Sequence, residues 1–283
     1  MQNGLKTAVL LGGLAGLMML AGQLFGGSSG LTFAFIIALI TVGGSYWFSD
    51  KLAIRSAKAV EVTPQEMPEY FQIMQELTTT AGLPMPRLYV SPEQQPNAFA
   101  TGRNPKNAAV CVTSGLLQTL EWREIRGVLA HELAHVRNRD ILTGSIAAGI
   151  ATVISYAANM MLWMGMFGGN RRSNSNGNPI IAIAFAMLAP LAAGILQMAI
   201  SRSREYEADR SAARMLNDGN PLADALTKLH GYSLRIPSEI PPPQASHYIV
   251  NPLNNRKVSF SNLFTTHPPA EERIRRLRSN EWM

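Results

Sequence analysis

Four long stretches of this chain carry no charge except Lys6 near the start of the first. They limit the possible folds more than any other feature. They run over residues 5–25, 31–48, 141–167 and 179–201. Each is about long enough to cross ~30 Å of hydrocarbon as a helix. The joins are short: GGSSG at 26–30 and GGNRRSNSNGN at 168–178. The chain therefore reads as two membrane hairpins, each followed by a polar block. The hairpins occupy 1–50 and 141–201, and the blocks occupy 51–140 and 202–283. Composition agrees: 47% of residues are hydrophobic and only 16% are charged, against a usual quarter.

The formal charge of +6 forms no basic stripe with interleaved aromatics, which argues against a nucleic-acid partner. It works instead as an orientation signal. Ten Lys and Arg lie in 51–140 and twelve in 201–283, against one at the N-terminal tip and two in the 168–178 loop. The positive-inside rule then puts both polar blocks and both termini in the cytoplasm. Cys111 is the only cysteine, so no intrachain disulfide is available.

Residues 51–140 read as a folded block. TPQE at 63–66 is a capping box that opens a helix with Pro64 at its first position, ending near Gly82. RLYV (87–90), NAFATG (97–102) and AAVCVTSGL (108–116) read as strands. Thr119 is expected to cap the next helix, with Glu121 and Glu124 in its first turn. In the last block, a helix continues from the fourth uncharged stretch to about 217. Another starts at Asn220-Pro221 and ends near Gly231, and a final one opens near Pro268.

The chemistry centres on VLAHELAHVRNRD, residues 128–140. On a helix His131 and His135 share a face and can offer imidazole nitrogens to one ion. Glu132 is rotated about 100° from His131, which sets its carboxylate beside such an ion rather than on it. This pattern suits a zinc-bound water with a neighbouring general base. Two histidines need a third protein ligand. The candidates are His230, His247, His267 and the acids of SREYEADRSA (203–212). A metzincin arrangement would need His at 141 after Gly at 138; the chain has Asn138 and Ile141. Glu205 and Asp209 lie four apart on one helical face. Glu205 can complete a His-His-Glu site, and Asp209 can accept a hydrogen bond from a ligating imidazole. Two crossings between 140 and 202, or none, return Glu205 to the side of His131. His267, just before a helix, can contact substrate or a developing oxyanion. His230 suits a helix C-terminus.

Taken in order, NAFATG, VTSGLL, AHELAH, the GGN…SNGNP loop, SRSREYEAD and THPPAEERI give a chain that resembles the HtpX family of bacterial membrane zinc metalloproteases. It is more distantly similar to the eukaryotic CAAX prenyl endopeptidase. The resemblance covers nearly the whole sequence. It implies a mainly α, multi-pass membrane protein with a zincin-like domain, a small β-sheet and two transmembrane hairpins. It implies one zinc ion per chain, held by His131, His135 and Glu205, with Glu132 as catalytic base and Asp209 behind a ligand. It also implies a site near His267, and a cleft segment from Asn97 to Ala100 against which a peptide can pair. The expected setting is the bacterial inner membrane, with misfolded membrane proteins as substrates.

Two other readings compete. A site within the bilayer fits poorly with Glu121, Arg123, Glu124, Arg126, Arg137, Arg139 and Asp140 around the motif. A non-enzymatic scaffold or transporter with a structural zinc would need a fourth protein ligand.

Overall fold

A computed structural model describes residues 32, 36, 40, 47–140, 154, 179–235 and 268–283. By internal packing the chain divides into Met1–Ser45 with Thr143–Ile200, and Tyr46–Leu142 with Ser201–Met283. The expected membrane stretches 5–25, 31–48 and 141–167 lie outside the described residues but for isolated positions. The fourth, 179–201, begins the helix Pro179–Leu216, with most of its side chains likewise outside. Among the described residues no helix is long and apolar enough to cross a membrane.

The second unit is mainly helical around a small mixed sheet. Helix α1 (Ser49–Ser56) leads to β1 (Val60–Glu61), α2 (Pro68–Ala81) and β2 (Arg87–Ser91). Then come β3 (Ala98–Thr101), β4 (Ala109–Thr113), α3 (Ser114–Thr119) and α4 (Trp122–Asn138). The long helix Pro179–Leu216 is α5, followed by α6 (Asn220–Arg235) and α7 (Ala270–Arg278). The sheet order is β1-β2-β4-β3, with β2 parallel to β4 and the outer pairs antiparallel.

Strand β4, AVCVT, is buried at every position, as expected of a strand covered on both faces. Val110 and Val112 join the main core with Tyr70, Met74 and Leu77 of α2, Leu129 and Leu133 of α4, and Leu222 and Leu226 of α6. Ala109 and Cys111 face the other way, against Ile54 of α1 and Phe99. Burying each large apolar side chain contributes about 1.5–3 kcal/mol. Burial also pushes the Cys111 thiol up to about 12.

Several local expectations shift for identifiable reasons. Thr63 and Glu66 do bond each other, through Thr63 N–H and Oγ1 to Glu66 Oε2, both at 2.8 Å. Yet the helix starts at Pro68, not Pro64. A residue before proline is pushed away from helical dihedrals, and Met67 sits at φ −136°. The helix ends as expected, with Gly82 left-handed at φ 65°. Strand β4 stops at Thr113, whose hydroxyl accepts the Leu116 N–H and caps α3. Thr119 ends that helix, its hydroxyl donating to Gly115 O at 2.7 Å. The cap of α4 passes to Glu121, in a reciprocal box with Glu124. Helix α6 runs through Gly231 to Arg235, and the short β1 was not expected.

Helices α4 and α6 pack closely at Gly127, where a Cβ would stand 2.5 Å from Leu222 N. Gly127→Ala gains about 1 kcal/mol of helix propensity, but the backbone overlap costs about 1–3 kcal/mol. The thermal midpoint is expected to fall, and a rise would contradict this packing. Cys111 is expected to resist maleimide in the folded protein and to react only after denaturation, read by mass spectrometry.

Candidate metal centre

The site is built on α4, whose apolar face docks it between the sheet and α6. His131 and Glu132 are buried on this helix, and their neighbours Leu129, Ala130 and Leu133 lock it into the core. The four-residue spacing brings His131 Nε2 to 3.1 Å from His135 Nε2. Helix α5 delivers Glu205 to both rings. Its Oε2 lies 3.5 Å from His131 Nε2 and its Oε1 lies 3.5 Å from His135 Nε2.

These donors suit a divalent metal. Tetrahedral zinc with bonds of about 2.0–2.1 Å sets its ligand atoms about 3.3 Å apart. Two imidazole nitrogens and a carboxylate match both that spacing and zinc's preferred donor types. Among the described residues, His131, His135 and Glu205 form the group able to hold an ion.

Each imidazole is held from behind. His131 Nδ1 meets Asp209 Oδ1 at 3.0 Å, and His135 Nδ1 meets Asp140 Oδ2 at 2.6 Å. With both Nδ1 atoms engaged, the Nε2 atoms are left facing the ion position. Arg273 of α7, only 1% exposed, donates from Nε and Nη2 to both oxygens of Asp209 at 2.8 Å. Its Nη1 lies 3.6 Å from Glu205. Burial alone would raise the Asp209 carboxyl, but Arg273 and His131 outweigh it and hold it down to about 2. Burial likewise opposes a charged His131, yet hydrogen bonds to Asp209 and Glu205 raise that ring to about 9. The pocket thus favours positive charge at its centre.

Glu132 is arranged differently. The β3–β4 ladder alternates, with Thr113 N–H bonded to Asn97 O, so the backbone groups of Ala98 and Ala100 point away from β4. Ala100 N–H donates to Glu132 Oε2 at 2.8 Å. Burial raises the Glu132 carboxyl above its ordinary value, and His131 and His135 pull it back.

Of the residues singled out by sequence, the structure brings His131, Glu132, His135, Glu205 and Asp209 together. Asn97 is buried at the head of β3. His230 lies elsewhere, its Nε2 2.9 Å from Glu271. His267 and His247 lie outside the described residues. Sequence reading missed two participants, Asp140 and Arg273. Asp140 stood only among the flanking charges, and Arg273 stood inside THPPAEERI with no spacing to mark it.

A family model described as Peptidase family M48 matches residues 64–281. Relatives named "Protease HtpX homolog" match over almost the full chain. That of Syntrophobacter fumaroxidans is 50% identical over 283 residues, 99% of this chain and 100% of the relative. That of Desulfatibacillum aliphaticivorans is 47% identical over 98% of this chain and 89% of its own. That of Burkholderia thailandensis is 49% identical, over 98% and 96%. Among solved structures, the crystal structure of S. mikatae Ste24p aligns with a TM-score of 0.60 at 19% identity. It covers 98% of this chain but only 65% of that one. At that identity the likeness is one of fold.

Removing one partner of a buried ion pair leaves the other uncompensated, at a cost of roughly 3–5 kcal/mol. Arg273→Met is therefore expected to lower the thermal midpoint strongly. Glu271→Ala, which removes an exposed partner of His230, should change stability by less than about 1 kcal/mol. Equal effects in calorimetry would show that Arg273 is not holding buried charge.

Proposed function

The chain belongs to peptidase family M48, and on that premise we propose that it is a membrane-anchored zinc endopeptidase working at the cytoplasmic face of the bacterial inner membrane. The observation that carries the reading is the donor spacing of His131, His135 and Glu205, with the Glu132 carboxylate one residue along the same helix. These three side chains would hold one zinc ion, leaving a position open for water and substrate. Bound there, zinc lowers the pKa of water toward ~7 and polarises the scissile carbonyl.

The rest falls to the chain's own groups. Ala100 N–H fixes one Glu132 oxygen, and the second takes a proton from the attacking water and returns it to the leaving amine. A buried carboxyl with a raised pKa suits both halves of that task. Strand β3 ends the sheet, paired with β4 on one side only, and an extended peptide can add as a strand beside Asn97–Ala100. Unfolded segments meet that requirement, which supports misfolded membrane proteins as substrates. The uncharged stretches and the surplus of Lys and Arg in the polar blocks support the bilayer setting and its orientation.

Glu132→Gln is expected to cut casein cleavage by on the order of 10²–10⁴-fold while zinc content stays at one per chain. Cleavage at the wild-type rate would exclude Glu132 as the base. Glu205→Ala should lose zinc by elemental analysis, and unchanged stoichiometry would exclude its role as a ligand. For topology, Arg137→Cys should react with an impermeant maleimide in inside-out vesicles but not in intact spheroplasts. The reverse pattern would place the site on the other side.

A further inference from the structure

We propose that Asp140 and Arg204 form a positioning pair for the metal site, with Asp140 setting the ring of His135 and Arg204 setting Asp140. The proposal rests on the metal reading above and adds two residues to it.

The geometry is unusual for a helix. Residues five apart sit about 140° from each other around an α-helix, so a continuous α4 would turn Asp140 away from His135. The helix ends instead at Arg139, a non-glycine residue in the left-handed region at φ 55°. That turn brings the Asp140 carboxylate back over the last turn, 2.6 Å from His135 Nδ1. Left-handed residues other than glycine are disfavoured and persist where their surroundings hold them. Here the holder is visible: Arg204 Nη1 donates to the Asp140 carbonyl. Both side chains of the contact are mostly buried, with 12% of Asp140 and 16% of His135 exposed.

His131 is backed by Asp209, whose carboxylate Arg273 meets, while His135 is backed by Asp140, whose main-chain carbonyl Arg204 meets. Arg204 directly precedes Glu205, so one segment of α5 supplies the third donor and the brace for the second. A shift of α5 would displace both together. The carboxylate fixes the His135 tautomer with its Nε2 lone pair toward the ion, and such outer partners strengthen metal binding.

The test measures zinc affinity of the full-length protein in detergent by competition with a chromophoric chelator. Asp140→Ala is expected to weaken zinc binding about 10–100-fold. Asp140→Asn, which keeps an acceptor oxygen without charge, should lose less. Arg204→Gln should fall in the same direction. In cobalt-substituted protein the visible absorption bands of Asp140→Ala should shift, reporting altered ligand geometry that a remote structural residue would not produce. Wild-type affinity and an unchanged cobalt spectrum in Asp140→Ala would overturn the proposal. Should that variant not fold, as read by circular dichroism, Asp140→Asn and Arg204→Gln decide the matter by the same measurements. Glu205→Ala serves as control. If it too keeps full zinc affinity, the metal reading itself fails, which separates that outcome from failure of the positioning pair.

Discussion

Asp209 faces a buried guanidinium and a buried imidazole at once, and the site depends on that arrangement. A carboxylate taken out of water is costly. Here both its oxygens are met by Arg273 and one also by His131. The cluster joins three helices that are far apart in sequence: α4 gives the ring, α5 the acid and α7 the cation. Its balance of charge is only approximate without a further cation. Glu205 and Asp209 face Arg273 and two imidazoles, two carboxylates against one permanent cation. A divalent ion satisfies the same demand, so metal binding and helix packing are one electrostatic problem.

The sheet solves a different problem, the placing of Glu132. Its strand β4 is buried on both faces and serves as a fixed floor. The antiparallel alternation then turns the Ala100 N–H outward to meet the carboxylate. The end strand β3 lies beside Glu132 because it supplies the bond to that carboxylate. Ladder geometry, rather than any single side chain, sets the Ala100 N–H against Glu132.

Much of this was legible in the sequence because it rests on helical periodicity. Residues four apart share a face, which joins His131 to His135 and Glu205 to Asp209 in the sequence itself. Gly82 likewise marked a helix end, because only glycine enters the left-handed region freely. What stayed hidden depends on exceptions or on distance. Asp140 reaches His135 through a left-handed arginine, and no propensity predicts such a turn. Arg273 meets Asp209 across 64 positions, with no periodicity to connect them. Pro68 overrode an apparently sound capping box, and Thr119 lost the cap to Glu121. In both cases two adjacent signals competed: proline sterics decided the first, and the hydrogen bonds between Glu121 and Glu124 the second.

The order of these residues along the chain has a temporal consequence. A ribosome releases the base and both imidazoles first, the third donor some seventy positions later, and Arg273 further along still. Until that arginine emerges, Asp209 lacks the guanidinium that meets both its oxygens. The pocket can therefore close only after α7 has been made, however early its imidazoles appear.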